Sequence, residues 1–271
     1  MDKYSPKTIQ KIRRSPSPKI LLNACTHGSE RVGLQILKHF SKLKINNGTL
    51  ITNIANERAV KSKKRFIECD LNRAFPGKKE GAHEERLAYN MKPFIDAFDV
   101  VIDIHSTESG VSSTLIITKF SSQTKKILEV IGPKRVLYMN TRPKTAHSLI
   151  SSAKIGIAFE YGKDRSTGTL NETIRGVTSL LEHYGMTKLK PARRPTKKIE
   201  YFEVYDKEEK PDGFKVASSV KNFRLLKKGS VVGYNTKTKE KIYSKESFYP
   251  ILFGKNTYKD IFGFKGRKMH Q

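Results

Sequence analysis

The sequence of 271 residues lacks tryptophan, contains two cysteines, and has about half as many acidic side chains (26) as basic ones (53). Two cysteines, Cys25 and Cys69, are too few for a disulfide framework or a cysteine-rich metal site, so we expect reduced thiols in a cytoplasmic protein. No apolar run approaches the ~20 residues of a membrane span. The basic N-terminal stretch has no apolar core of a signal peptide. Together these absences predict a cytoplasmic protein that has no membrane partner.

The deficit of acidic side chains leaves a net charge of +27 and an isoelectric point near 10.0. Such a surplus is typical of proteins that bind nucleic acid, a membrane surface or an anionic small molecule. A general lysine bias on a solvated surface gives the same composition. No helix-turn-helix, zinc finger or aromatic–basic RNA motif accompanies the charge, so a nucleic-acid-binding protein stays an alternative and we expect no specific nucleic-acid partner.

Apolar runs alternate with stretches of helical periodicity over residues 19–188, which favours an α/β sheet covered on both faces. The predicted strands, in chain order, are 19–25, 50–54, 100–104, 114–118, 136–139 and 155–159, and the predicted helices are 30–43, 83–97, 123–131 and 170–184. Residues 1–18 are expected to form a loose lead-in. A basic stretch with prolines at 189–198 indicates a linker, and short alternating runs over 199–271 predict a β-rich C-terminal domain.

Candidate metal ligands follow three of the predicted strands. His27 and Glu30 come shortly after the first strand, His105 follows the third, and Glu160 follows the sixth. Two imidazoles and one carboxylate make a three-ligand catalytic zinc site with one position left for water, and a further carboxylate would take a proton from that water. A lone His-x-x-Glu arises often by chance, and each histidine alone is typical of a hydrogen-bonded structural residue. Their combination points to hydrolysis.

Two further motifs lie between the first two groups of candidate ligands. Asn72 and Arg73 pair a neutral amide donor with a planar guanidinium fork, which suits a substrate carboxylate. The segment 83–86, His-Glu-Glu-Arg, lacks the second histidine of the helical zinc-protease motif, so we interpret it as a solvated helix start. Cys25 is interpreted as a buried core residue because its neighbours are those of a buried strand.

The order and spacing of these motifs resemble the aspartoacylase and succinylglutamate desuccinylase family, a branch of the zinc carboxypeptidase-like fold. The resemblance extends from about residue 19 to residue 262. The matching segments are 26–30, 56–60, 65–73, 103–107, 114–117, 156–162 and 248–250. This resemblance implies a mixed sheet flanked by helices, a zinc-dependent catalytic domain over residues 19–188, and a small all-β C-terminal domain.

The resemblance also implies a zinc-dependent amidohydrolase that cleaves the acyl-amide bond of N-acyl amino acids, with a small anionic substrate as its partner. One zinc ion per chain would be bound by His27, Glu30 and His105. Glu160 would activate the zinc-bound water and then protonate the leaving amine. Arg65 would polarise the acyl carbonyl and stabilise the oxyanion. The oligomeric state stays open, with a homo-oligomer as one option.

For the substrate, the resemblance implies that Asn72 and Arg73 hold the carboxylate of the amino acid and that Tyr258 contacts it from the C-terminal domain. The same pair would hold a peptide C-terminus equally well, so a metallocarboxypeptidase is an alternative within the same chemistry. The predicted C-terminal domain argues against it, because such a domain narrows the cleft to small substrates.

The sequence departs from the aspartoacylase pattern before the catalytic glutamate. The pattern carries there an arginine that pairs with the side-chain carboxylate of the substrate, whereas residues 148–152 are Ser-Leu-Ile-Ser-Ser. We therefore expect the chemistry to be kept and N-acetylaspartate not to be strongly favoured. Arg142 and Arg165 are the candidate replacements, and Ser29 and Glu108 are expected to reshape the pocket.

Overall fold

The computed structural model describes residues 8–10, 18–139, 147–191, 198–254 and 258–269. Its strands and helices, in chain order, are β1 (Thr8–Gln10), β2 (Lys19–Ala24), α1 (Val32–Ser41), β3 (Thr49–Ile54), α2 (Glu57–Lys61), α3 (His83–Asp96), β4 (Val100–His105), β5 (Thr114–Ile117), α4 (Ser122–Ile131), β6 (Arg135–Tyr138), β7 (Ile155–Glu160), α5 (Thr167–His183), β8 (Glu200–Glu209), β9 (Phe214–Val216), β10 (Val231–Asn235), β11 (Lys241–Tyr243), β12 (Tyr249–Ile251) and β13 (Ile261–Lys268). Within those ranges, no helix has both the length and the apolarity to cross a membrane.

Ten of these strands form one mixed sheet in the order β1-β3-β2-β4-β7-β5-β6-β8-β13-β12. Strands β3, β2, β4 and β7 run parallel to one another. Strand β5 then pairs antiparallel with β7 and parallel with β6. The predicted mixed α/β sheet is therefore confirmed.

The central strands β2, β4, β5 and β7 are almost entirely buried and carry mostly apolar side chains on both faces of the sheet. On β2, Ile20 and Leu22 belong to a core that includes residues of α1, α4 and α5, whereas Leu21 joins a second core with Met91 and Ile95 of α3. The alternation follows from the strand period, which points successive side chains to opposite faces. Helices thus cover the sheet on both sides, as the uninterrupted apolar runs predict.

The C-terminal residues are all-β, as predicted, and they also extend the main sheet. Strand β8 pairs in parallel with β6, and β13 and β12 follow it at the edge. The remaining strands form a small antiparallel sheet in the order β11-β10-β9. A third apolar core, which includes Val232, Phe248 and Phe262, lies in this part of the chain. The proposed domain boundaries stay a prediction, and most of the linker at 189–198 falls outside the described residues.

The N-terminal lead-in differs from the prediction at one point. Strand β1 pairs antiparallel with β3, with Thr8 opposite Thr52 and Gln10 opposite Leu50. The prediction of a loose lead-in is therefore wrong for Thr8–Gln10, which form an edge strand of the sheet. This strand depends on main-chain hydrogen bonds to β3, and the side-chain pattern of the sequence does not reveal such pairing.

Strands β2, β4 and β7 are neighbours and run parallel, so their carboxyl ends meet at one edge of the sheet. Ligand sites of open α/β sheets lie at this edge. The candidate residues that follow these strands are consequently brought together.

Candidate active site

The chain leaves β2 through a tight turn that carries His27 over the sheet edge. Cys25 opens the turn with a positive φ of 58°. Gly28 lies so close to α2 that an added Cβ would be 2.2 Å from the backbone carbonyl carbon of Ala59. The N–H of Gly28 donates to the carbonyl oxygen of Arg65 at 3.0 Å. A glycine is required here, and the turn is fixed against both α2 and the loop that begins at Arg65.

Three buried side chains converge at this edge. Nδ1 of His27 lies 2.6 Å from Oε1 of Glu30, and Nδ1 of His105 lies 3.0 Å from Oε2 of the same carboxylate. One candidate ligand atom from each residue lies within 4.8 Å of the other two. Two imidazole nitrogens and one carboxylate are the donor set of a catalytic zinc site. The residues therefore fit a single zinc ion, as the sequence predicts.

Both histidines are oriented through their second ring nitrogen. Nε2 of His105 lies 2.7 Å from Oδ2 of Asp103, and Nε2 of His27 lies 3.0 Å from Oδ1 of Asp70. A carboxylate partner of this kind favours the proton on Nε2, which would leave Nδ1 free to bind a metal ion. Neither Asp70 nor Asp103 is among the site residues that the sequence predicts. Asp103 lies two residues before His105 on β4, and this spacing on one face of a strand was a usable signal.

Asp103 is itself held in a buried polar network. Asn23 donates to Oδ1 of Asp103 at 2.7 Å, and the Thr26 hydroxyl donates to the same oxygen at 2.8 Å. Asn53 donates in turn to the side-chain oxygen of Asn23 at 2.7 Å. Because these partners lie on β2, β3 and the turn, the carboxylate that orients His105 is fixed by three segments of the sheet edge.

The electrostatics of the cluster favour positive charge. Burial alone would raise the pKa of Glu30, but the neighbouring His27 and His105 bring it below its ordinary value. Burial would lower the pKa of His105, yet the charges of Asp103 and Glu30 raise it well above its ordinary value. The carboxylates thus outweigh the cost of burying a cation here, and the charge of a divalent metal ion would suit this environment.

Glu160 lies beside the cluster at the end of β7. Its Cα is paired in register with that of His105 on β4. Among the described residues its Oε2 atom is buried and has no hydrogen-bond partner. Burial raises the pKa of Glu160 to about 7, with the nearby charges of His105 and Glu30 acting in opposite directions. A carboxyl group with these properties is suited to take up and release a proton near neutral pH.

Arg65 lies at the open side of the cluster, with 50% of its side chain exposed. Its Nη2 atom is 2.9 Å from Nε2 of His27 and 3.3 Å from Oδ2 of Asp70. Its Nη1 atom is 3.7 Å from Oε1 of Glu30. The guanidinium group is therefore held next to the metal ligands while part of it faces solvent.

Asn72 and Arg73 lie on a 3-10 turn, Leu71–Arg73, that follows directly after Asp70. Asp70 caps this turn by accepting the N–H of Asn72 at 2.9 Å. Oδ1 of Asn72 accepts the N–H of Leu149 at 3.2 Å, so the amide presents its Nδ2 atom as a donor. Arg73 is exposed, and its Nη1 atom donates to the carbonyl oxygen of Asn72 at 2.8 Å.

Tyr258 enters the site from the C-terminal residues. Burial and the charge of Glu160 raise its pKa, while the charges of Arg73 and Arg65 act in the opposite direction. Tyr258 thus lies within electrostatic reach of Glu160, Arg65 and Arg73. All eight predicted site residues lie in this one region.

The segment that stands where the aspartoacylase pattern has its arginine contacts the site through Leu149, which donates to Asn72. Of the candidate replacement cations, Arg142 falls outside the described residues and Arg165 is exposed, with a positive φ of 61°. Ser29 is exposed in the turn that precedes Glu30. Glu108 is also exposed and lines a cavity of about 590 Å³ beside the loop that follows β4.

Of the two predictions for Cys25 and for residues 83–86, the structure confirms the first and contradicts part of the second. Cys25 is fully buried, and burial raises the pKa of its thiol to about 12, so the prediction of a core residue is confirmed. The solvated helix start at 83–86 is wrong at its first two residues, because His83 is 4% exposed and Glu84 is 0% exposed. Donors from the loop after α2 replace water at Glu84, as described below.

A family model described as "Succinylglutamate desuccinylase/Aspartoacylase catalytic domain" matches residues 16–184. A probable aspartoacylase of Acaryochloris marina is 30% identical over 161 residues, which cover 53% of this chain and 55% of that protein. An N-acyl-aromatic-L-amino acid amidohydrolase of Danio rerio is 30% identical over 163 residues, which cover 51% and 52% of the two chains. The matched part therefore spans about half the length of these relatives.

Among solved structures, murine aminoacylase 3 superposes with a TM-score of 0.80 at 18% sequence identity. The superposition covers 95% of this chain and 97% of the murine one. At this level of identity the likeness concerns the fold, and it includes the C-terminal strands as well as the sheet that carries the site.

Proposed function

The chain belongs to the succinylglutamate desuccinylase and aspartoacylase family, and we propose that it is a zinc-dependent amidohydrolase that releases the acyl group of N-acyl amino acids. The observation that carries the proposal is the convergence of His27, Glu30 and His105 beside Glu160, whose buried Oε2 atom has no hydrogen-bond partner among the described residues. A hydrolytic metal site needs this combination of a three-ligand donor set and a separate proton acceptor.

In this proposal His27, Glu30 and His105 hold the zinc ion. When bound, the ion supplies Lewis acidity, which polarises a carbonyl group and lowers the pKa of a water molecule. Glu160 accepts the proton of the attacking water and later gives it to the leaving nitrogen. Support for this role comes from its buried Oε2 atom, which none of the described residues binds, and from its position opposite His105.

Arg65 is proposed to stabilise the negative charge that develops on the carbonyl oxygen. Its guanidinium group lies beside His27 and Glu30 and is half-exposed, so it faces the space that a substrate would enter. A positioned cation or donor at such an oxygen is often among the largest contributions to catalysis.

Asn72 and Arg73 are proposed to hold the α-carboxylate of the substrate, with Tyr258 closing the site from the C-terminal side. The Asn72 amide is oriented by Leu149, so its Nδ2 atom is available to a carboxylate oxygen. Tyr258 is partly buried and lies within electrostatic reach of Glu160, which supports a small substrate, because C-terminal residues that reach the site limit its volume. The net charge of +27 would steer anionic acyl amino acids towards the enzyme.

Metal removal followed by a substrate screen tests the proposal. The protein is stripped of metal with a chelator, reconstituted with zinc, and assayed for amino acid release from N-acetyl, N-formyl and N-succinyl amino acids. We expect activity to be lost with the metal and restored by zinc. Carboxamide versions of the same substrates should be poor, because they lack the α-carboxylate.

Blocked dipeptides with a free C-terminus serve as the comparison in that screen. Faster cleavage of these peptides than of any N-acyl amino acid would favour a carboxypeptidase. No hydrolysis of any compound by the zinc-loaded protein would overturn the proposed function.

A further inference from the structure

We propose that Glu84 is a positioning residue of the active site, because its buried carboxylate fixes the loop that carries Arg65, Asp70 and Asn72. Glu84 is the second residue of α3 and is completely buried. Among the described residues, its side chain bonds to the loop and to Asn56 and to none of the three candidate metal ligands, so any effect on the reaction passes through these partners. The part of this proposal that concerns catalysis depends on the proposed function.

Four donors converge on the two oxygens of this carboxylate. Oε1 accepts the N–H of Ile67 at 2.6 Å and the side-chain amide of Asn56 at 3.0 Å. Oε2 accepts the N–H groups of Glu68 and Cys69 at 3.0 and 3.1 Å. Three consecutive backbone N–H groups of one loop are thus bound by a single side chain.

The donor pattern requires a carboxylate and not merely a polar side chain. Each oxygen of Glu84 receives two donors, and the isosteric glutamine would replace one oxygen with an NH2 group that itself donates. In either orientation of the glutamine amide, its NH2 group would face two N–H donors. Hydrogen bonds to a charged acceptor are also about twice as strong as neutral ones. Glutamine is therefore a sharp test, because it keeps the volume of the side chain and changes the charge and the donor count.

The loop also binds the helix in the opposite direction. The carboxylate of Glu68 accepts the backbone N–H of His83 at 2.6 Å, while the backbone N–H of Glu68 donates to Glu84. The first N–H groups of a helix lack partners within the helix, and the loop supplies one for the first residue of α3. Loop and helix start therefore form one reciprocally bonded unit.

The fixed stretch lies between residues that contact the site. Arg65 precedes the bound N–H groups by two residues, and Asp70 follows them directly. Asp70 orients His27 and caps the turn that carries Asn72. Asn56, the fourth donor, caps α2, the helix against which Gly28, next to His27 in the turn after β2, is packed. A shift of the loop would thus displace three residues together. They are Arg65, which is proposed to stabilise the oxyanion, Asn72, which is proposed to bind the substrate carboxylate, and Asp70, which orients His27.

The test compares Glu84→Gln with Glu85→Gln. Glu85 is the next residue of the same helix, and its carboxylate binds the Ala82 N–H and Lys78, so it does not reach the loop N–H groups. The readouts are hydrogen exchange at the amides of 67–69, zinc content, and kcat and KM for an N-acyl amino acid. For Glu84→Gln we expect at least tenfold faster exchange at these amides, unchanged exchange in β2 and β4, and kcat/KM lower by about a hundredfold at full zinc loading. Glu85→Gln should match the wild type in all of them.

Hydrogen exchange separates failure of this proposal from failure of the proposed function. If the wild type hydrolyses no N-acyl amino acid, the proposed function fails, and the exchange data still decide whether Glu84 holds the loop. Unchanged exchange at 67–69 in Glu84→Gln overturns the positioning role. So does faster exchange together with a kcat/KM within twofold of an active wild type, since the loop would then be ordered by Glu84 without consequence for the site.

Discussion

His105 and Glu160 lie directly opposite each other at the carboxyl ends of the parallel strands β4 and β7. The proposed metal ligand and the proposed acid–base group are therefore separated by one main-chain pairing and not by a loop. Strand pairing fixes this distance, so it would hold the proposed proton acceptor next to the candidate metal site.

Glu160→Gln should keep zinc and substrate binding but lower kcat by about ten-thousand-fold, the upper range for a positioned acid–base group. The amide keeps the shape of the side chain and cannot accept a proton from water. Steady-state kinetics with parallel zinc analysis checks this. Glu108→Gln is the matched control, because Glu108 is an exposed carboxylate on the loop after β4. Near-normal turnover of Glu160→Gln combined with a slow Glu108→Gln would move the base to Glu108.

Asp103→Asn should weaken zinc binding by about 10- to 100-fold, the usual effect of removing an outer partner of a metal-bound histidine. The substitution removes the negative charge 2.7 Å from Nε2 of His105 and leaves the ligand itself in place. Competition with a chromophoric chelator measures the affinity. Asp96→Asn, at an exposed aspartate paired with Lys92, should bind zinc like the wild type. An affinity of Asp103→Asn within twofold of the wild type would show that Asp103 does not tune the metal.

The missing arginine before Glu160 should weaken discrimination between acidic and neutral substrates. A bidentate guanidinium–carboxylate pair is worth about 1.5–3 kcal/mol, or roughly ten- to a hundredfold in kcat/KM. We therefore expect similar kcat/KM values for N-acetylaspartate and N-acetylalanine. Arg73→Ala should reduce both alike, because both substrates carry the α-carboxylate. A preference for N-acetylaspartate above a thousandfold would contradict this and direct attention to Arg142 or Arg165.

Glu84 should make the stability of the protein depend on acid pH. Burial alone would raise its pKa, but the hydrogen bonds it accepts bring the pKa below the ordinary value of 4.5. Between the folded pKa and 4.5 the unfolded chain binds more protons, so the free energy of unfolding rises with pH over that window. The stabilisation is complete above the window and is lost as the pH falls through the folded pKa.

Glutamine at this position does not titrate, so the Glu84→Gln variant should lack that contribution. We expect it to be less stable than the wild type by about 1–3 kcal/mol at pH 7, the cost of leaving buried donors unsatisfied. The difference should shrink at acid pH. Urea unfolding of the zinc-loaded proteins at several pH values measures it, with Glu129→Gln on the exposed face of α4 as control. A difference that is independent of pH would show that the charge of Glu84 does not stabilise the fold.

The central part of the site was predictable from the sequence because of how parallel strands end. His27, Glu30, His105 and Glu160 each follow an apolar run, and neighbouring parallel strands place such residues at one edge. The family resemblance then supplied expectations for Arg65 and the substrate-binding residues, whose roles stay proposals. The local sequence pattern and the parallel arrangement of the predicted strands were sufficient to place these four residues together.

What the sequence did not reveal depends on contacts between distant segments. Glu84 has the sequence context of a solvated helix start, and its burial results from a loop that folds back over it from residues 67–69. The continuation of the main sheet by β8, β13 and β12 is likewise set by pairing across more than sixty residues between β6 and β8. Neither arrangement leaves a periodic signal in the chain.

The zinc content of His105→Ala tests the account most directly. His105 is a buried ligand candidate on the central strand β4, and its removal leaves two protein ligands, too few to hold a catalytic zinc ion firmly. The account predicts that this variant, purified and dialysed, loses both zinc and amidohydrolase activity, while His183→Ala at the end of α5 retains both. Stoichiometric zinc in a folded His105→Ala variant would contradict the ligand assignment on which the proposed chemistry depends.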